Sequence, residues 1–260
     1  PEAKLVSVSV IIPCYNEERF IRKALEGLSN QYPTSAYEIV IIDGMSTDGT
    51  RDEIREFQKA NPQVQLRVLD NPQRCIPVSL NIGIAAARGE VIARIDAHAA
   101  PSKGYIRRCV EVLNAGDAEV VGMPCRVQPG ANTTFARAIA SAVSHPFGIG
   151  DAKYRLTTRE NSQRDVDTVA FACFKKFLWA ELGGYDERLL TNEDYDFNYR
   201  VRLTGLEVVL DPARLAAHQV TLDEVLGTLA SARATRSSRD WKVRGRAWSS
   251  LPFNIAQYTF

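Results

Sequence analysis

Four groups of residues in this 260-residue chain carry side chains able to do chemistry, each at a place where an element begins or ends. Pro13-Cys14-Tyr15-Asn16-Glu17 follows one β-branched run, Asp43-Gly44-Met45-Ser46-Thr47-Asp48-Gly49-Thr50 follows a second, and Asp96-Ala97-His98 follows a third. In open parallel sheets ligands bind beyond the carboxyl ends of the strands, so these are the positions where a site is expected. Helix capping is one account of Asn16 and Thr50, with a part in the site as the other. It does not account for two strands that each end in a carboxylate, Asp43 and Asp96, with no obvious local partner, and a ligand or cation would explain both. The fourth group, Asn192-Glu193-Asp194, opens a predicted helix. First-turn carboxylates there sit on the positive end of the helix dipole and stay ionised, as a general base requires.

The elements that must position these groups follow from periodicity. Val8 to Ile12, Glu38 to Ile42, Val64 to Leu69 and Glu90 to Ile95 read as strands, separated by stretches with apolar residues at helical spacing, the pattern of βαβ units around a buried parallel sheet. Phe20 to Leu28 and Val78 to Ala87 read as helices, and Thr50 with Glu53 forms a capping box ahead of another. Further on, strands are expected at Glu119 to Met123, Val166 to Ala172 and Glu207 to Leu210. Helices are expected at Thr134 to Val143, Asn192 to Thr204 and from Thr221 onward. The polar stretch between His145 and Arg164 reads as a mobile loop.

Bulk properties exclude several classes. Lys plus Arg number 32 against 31 Asp plus Glu, so no global excess of positive charge is available to hold nucleic acid. The five cysteines form no CxxC pair, which argues against a zinc site or a disulfide framework and fits a reducing cytosol. No apolar run of membrane-spanning length occurs. The first strand is followed by no GxGxxG, and no GxxxxGK[ST] is present, which argues against dehydrogenase and P-loop readings.

The ordered segments VSVIIPCYNEE, VIIDGMSTDGT, ARGEVIARIDAHA, GGYDE and NEDYDFNYR resemble the motifs of family 2 glycosyltransferases, which have the GT-A fold. The RIDAHA and NEDYDFNYR variants are most similar to succinoglycan-type exopolysaccharide glucosyltransferases. The resemblance implies an α/β, Rossmann-like, mostly parallel sheet flanked by helices: a GT-A domain over 1–218, with a nucleotide-binding half (1–115), an acceptor-binding half (116–218) and a helical extension at 219–260. It implies an inverting transfer from a nucleotide-sugar, a UDP-sugar, to a hydroxyl of a glycan or lipid-linked acceptor. Asp43 would accept from uracil, Pro13, Tyr15 and Glu17 would shape the base and ribose pocket, and Arg74 would lie at the base or phosphates. Asp96 and His98 take the place of the family's Asp-x-Asp and would hold Mn²⁺ or Mg²⁺, with His218 as a further ligand. Because His98 is an imidazole where a carboxylate is usual, Mn²⁺ is favoured. Asp194 would be the base, with Glu193, Gly184 and Tyr185 on the acceptor side.

The chain's end departs from the processive members, which carry Gln-x-x-Arg-Trp; single addition is therefore expected. Residues 231–248 hold Arg233, Arg236, Arg239, Lys242, Arg244 and Arg246 with two tryptophans, a composition suited to an anionic membrane surface at the cytoplasmic face. Two rival readings stand beside this one: a sugar-1-phosphate nucleotidyltransferase, and a catalytically silent sugar-nucleotide-binding protein.

Overall fold

The computed structural model of the chain describes residues 6–145, 154, 164–189, 191–213 and 216–220. The first four strands form as expected: β1 (Val8–Cys14), β2 (Tyr37–Asp43), β3 (Gln65–Asp70) and β4 (Val91–Arg94). They lie side by side in parallel, in the order β3-β2-β1-β4. All seven residues of β2 are buried, which is why its centre, Ile39 to Ile42, runs apolar without alternation. The register pairs Cys14 with Asp43 and Asp43 with Asp70, so the three strands end level and their following loops share one rim.

Helices α1 (Ile21–Leu28), α2 (Thr50–Ala60), α3 (Ile76–Ala86) and α4 (Tyr105–Ala115) cover the sheet. Gly83 lets α3 press on β1 and β2: a Cβ there would sit 2.5 Å from Ile42 Cδ1 and 2.6 Å from Ile11 Cγ2. The capping box expected at Thr50 does not form. Thr50 is the first helical residue, and Asp48 Oδ1 accepts from its amide at 3.0 Å, because the preceding Asp reaches the helix start more directly.

Beyond β4 the sheet continues through β9 (Cys173–Lys175), β6 (Val120–Gly122), β10 (Val208–Leu210) and β8 (Arg164–Asp165). β9 runs antiparallel to both β4 and β6, so a late segment closes the sheet between its two halves. The strand expected at Val166 to Ala172 is corrected: these residues run outside any strand, between β8 and β9. They are largely buried, but Phe171 adopts φ 53°, a conformation no strand contains.

A second sheet, β5-β11-β7, combines β5 (Ala99–Pro101), β11 (Ala216–Val220) and β7 (Cys125–Pro129). Its strands are too short to leave a periodic signal. Helices α5 (Thr134–Val143), α6 (Lys176–Glu181) and α7 (Glu193–Leu203) complete the described chain. Residues 219 and 220 of the expected extension end β11; the rest of it, with its predicted helix and basic segment, and most of the stretch expected as a mobile loop lie outside the described residues.

Candidate active site

The loops after β1 and β2 are zipped together by side chains that cap backbone amides. Asn16 N donates to Ser46 Oγ at 2.9 Å, Thr47 N to Asn16 Oδ1 at 2.9 Å, Glu17 N to Thr50 Oγ1 at 2.7 Å, and Gly49 N to Glu18 Oε2 at 3.1 Å. Asn16, Met45 and Arg74 each adopt a left-handed conformation, at φ 55°, 61° and 54°, just beyond β1, β2 and β3. Such backbone is costly for residues other than glycine and concentrates where loops are shaped for a ligand.

The expectation that Asp43 lacks local partners is corrected. Its side chain is 0% exposed. Oδ1 accepts from Ser46 Oγ at 2.5 Å, and Oδ2 accepts from Ser46 N at 3.0 Å and Arg51 Nε at 2.6 Å. Arg51 also bridges to Asp70 at 2.6 Å. A carboxylate so held organises the loop after β2. The surface above it is made by Tyr15, 44% exposed, with the Arg74 guanidinium 5.2 Å from its ring centroid and Pro13 half-buried beside it. Gly44 opens this surface: a Cβ would meet the Tyr15 ring at 3.3 Å.

Asp96 and His98 belong to the turn joining β4 to β5, not to a strand end, so strand alternation does not aim them at one point. His98 Nδ1 lies 2.8 Å from Glu17 Oε1, and Asp96 Oδ1 lies 3.4 Å from Arg94 Nη2. The backbone of His218 is registered against Ala99, so β11 returns the third expected ligand to the same turn. No group of three His, Cys, Asp or Glu side chains among the described residues could hold a metal ion. A hard carboxylate beside a turn fits instead a divalent ion that completes its shell with diphosphate oxygens.

Across from this turn, Asn192 at φ 66° sets the start of α7. Glu193 is buried and Asp194 half-buried. Glu193 Oε1 stands 2.9 Å from Arg94 Nη1, and Asp194 Oδ2 stands 4.0 Å from the same nitrogen. Burial pushes the Glu193 carboxyl above its ordinary value, against the pull of Arg94. Arg94 itself went unnoticed in the sequence. The available signal was a charged residue inside the otherwise apolar strand Val91-Ile92-Ala93-Arg94-Ile95, where only a partnered charge is tolerated.

Tyr185, expected on the acceptor side, is 3% exposed and its ring stacks on Phe197 at 4.8 Å, so its side chain fills the core beneath α7. Gly184, at φ 78°, is buried beside it. Asn81 of α3 clamps this segment: Nδ2 donates to Tyr185 O and Glu187 Oε1, both at 2.9 Å, while Oδ1 accepts from Tyr185 N at 2.9 Å and Trp179 Nε1 at 3.0 Å.

The family model of glycosyl transferase family 2 matches residues 9–179. Succinoglycan biosynthesis protein ExoA of Rhizobium meliloti (strain 1021) is 32% identical over 211 residues, covering 80% of this chain and 61% of its own length. Glycosyltransferase AglE of Haloferax volcanii is 34% identical over 213 residues, covering 81% of this chain and 66% of its own length. The chain thus spans about three fifths to two thirds of the curated relatives it matches. Among solved structures, mannosyltransferase PcManGT from Pyrobaculum calidifontis, in complex with GDP-Man and Mn²⁺, superposes with TM-score 0.68 at 22% identity, covering 98% of this chain and 72% of that one. TarS 1-349 of S. aureus in complex with UDP does so with TM-score 0.64 at 16% identity, covering 96% and 76%. The fold is GT-A, with a mostly parallel sheet flanked by helices.

Proposed function

Because the chain belongs to glycosyl transferase family 2, we propose that it carries out one inverting sugar transfer, from a UDP-sugar to a hydroxyl of a glycan or lipid-linked acceptor. The observation that carries this reading is the meeting of Asp96 and Asp194, from opposite halves of the sheet, at a single buried arginine. One carboxylate follows the nucleotide-side strands; the other opens α7, above the Asn81-clamped segment. This arrangement supports the reading of a displacement, with Asp96 toward the leaving group and Asp194 as base for the incoming hydroxyl.

In this reading Tyr15 and Arg74 form the stacking face for the nucleotide, with Pro13 and Gly44 beneath and Glu17 at the edge. Asp43 is a positioning residue that holds the 46–51 loop through Ser46 and Arg51. Asp96, with His98 and His218 beside it, would hold Mn²⁺ or Mg²⁺ together with the donor diphosphate. Such an ion supplies electrostatic stabilisation of the departing diphosphate. Asp194, not Glu193, takes the hydroxyl proton: Glu193 is closed in against Arg94, whereas the Asp194 side chain is 27% exposed. The hydroxyl then attacks the anomeric carbon opposite the leaving group.

The experiment is a panel of nucleotide-sugars offered with Mn²⁺ or Mg²⁺ and a membrane lipid extract, with products weighed by mass spectrometry. Release of nucleoside diphosphate with formation of a glycosylated product is expected. A chain that binds donor and releases neither sugar nor nucleoside diphosphate would be a silent binding protein instead. The basic segment 231–248 supports attachment to an anionic membrane surface, which co-sedimentation with anionic and neutral vesicles at low and high salt tests. No helix among the described residues is long and apolar enough to cross a membrane.

A further inference from the structure

Arg94 occupies the end of the strand at the centre of the main sheet, with its side chain 10% exposed. Burying a guanidinium costs several kcal/mol unless partners compensate. Burial pushes its proton affinity down, and Asp96, Glu193 and Asp194 together raise it well above the usual value, so it stays charged. Three acids face one cation: if all are ionised, the cluster carries an excess of two negative charges. They come from two distant segments, the turn after β4 and the first turn of α7.

The contacts are unequal and unsaturated. Nη1 is 2.9 Å from Glu193 Oε1 but is not aligned as a hydrogen bond, Nη2 is 3.4 Å from Asp96 Oδ1, and Nε is buried with no hydrogen-bond partner among the described residues. The backbone is held separately: Arg94 N donates to Ala172 O at 2.9 Å, which fixes the strand, not the guanidinium. A guanidinium with spare donors between two sets of carboxylates can change which of them it serves without leaving its place.

We propose that Arg94 is a positioning residue that couples cation loading at Asp96 to the base-bearing turn of α7. Without a cation, its charge is divided between Asp96 and the Glu193–Asp194 pair. When Asp96 turns to a cation held with diphosphate, the guanidinium is left to Glu193 and Asp194 and draws that turn into its working position. By linkage, weakening the α7 contacts must alter cation affinity, although Glu193 touches neither cation nor donor. This rests on the donor-and-cation reading given above.

The test measures Mn²⁺ affinity in the presence of UDP, by calorimetry, for the wild type, Glu193→Gln, Glu193→Asp, Arg94→Lys and the double change Arg94→Lys with Glu193→Gln. Glu193→Gln leaves Arg94 more committed to Asp96, so Mn²⁺ affinity should fall by about fivefold or more. Glu193→Asp keeps the charge but shortens the reach, and should weaken Mn²⁺ in the same direction. In the Arg94→Lys background the effect of Glu193→Gln should shrink, because Lys cannot span both sets of partners. Equal effects of Glu193→Gln in both backgrounds would overturn the coupling. So would unchanged Mn²⁺ affinity in both Glu193 variants, a result that does not depend on Arg94→Lys folding. Loss of affinity that merely tracks the melting midpoint would show Arg94 to be a brace. A wild type that binds no UDP with or without Mn²⁺ would instead sink the donor reading itself, and the coupling with it.

Discussion

His98 Nδ1 and Glu17 Oε1 meet at 2.8 Å, joining the turn after β4 to the loop after β1 across the rim of the sheet. The His98 imidazole is therefore placed by a carboxylate on a different element. His98→Asp should face Glu17 with a second carboxylate and lower the melting midpoint, and adding Glu17→Gln should restore it. With UDP present, His98→Asp should also shift cation preference away from Mn²⁺ toward Mg²⁺, since a hard oxygen replaces imidazole. Calorimetric Mn²⁺ and Mg²⁺ titrations of the single and double variants check both statements; an unchanged metal ratio would remove His98 from the ligand set.

Asp194→Asn should reduce transfer by about 10²-fold or more, the scale of a lost general base, with UDP affinity nearly intact. Turnover is compared at saturating acceptor once an acceptor is identified from the product analysis. A variant that keeps most of its turnover would shift the base to another group on the rim.

Asp43→Asn should destabilise the fold, because it leaves Arg51 and the Ser46 loop facing a neutral amide. Hydrogen bonds to a charged group are each worth about 1.5 to 3 kcal/mol, and the denaturant midpoint should move by an amount of that order. UDP affinity should fall with it, since the loop that carries Gly44 loosens. Weakened UDP binding at undiminished stability would mean that Asp43 contacts the nucleotide after all.

Glu38 gives the fold an acid-sensitive contact at the opposite end of the sheet. Burial raises its carboxyl, but hydrogen bonds from Ser9 Oγ at 2.6 Å and Arg88 N at 2.7 Å, with the Arg67 guanidinium, bring it below its ordinary value. A depressed folded value contributes stability that is present above the unfolded value and lost as pH falls through the folded one. Glu38→Gln should therefore be less stable than the wild type at neutral pH, by about 2 kcal/mol, with the gap closing in acid. Urea midpoints measured across that range test it.

Glu193 has the opposite sign. Its raised carboxyl contributes stability that is fully present below the unfolded value of 4.5 and lost as pH rises through the folded value. Glu193→Gln should gain stability relative to the wild type as pH rises from about 4 toward neutrality. A constant difference between the two proteins over that range would mean that the group titrates alike folded and unfolded.

The sequence by itself determined the strand–helix alternation through β4, because a buried parallel sheet demands unbroken apolar runs such as Ile39 to Ile42 and these are visible residue by residue. It also singled out Asp96 and Asp194, since each sits where an element starts or stops, and the structure brings both to Arg94. What it could not reveal is which carboxylates are already occupied. Asp43 meets Arg51, Glu17 meets His98 and Glu193 meets Arg94, and two of those three partnerships join segments more than 80 residues apart. Nor could it reveal that Tyr185 points into the core, which Phe197 decides, or that β9 threads back between β4 and β6. Pairing across the chain is set by where the sheet's register brings the strand ends, and a local pattern of residues carries no record of that register.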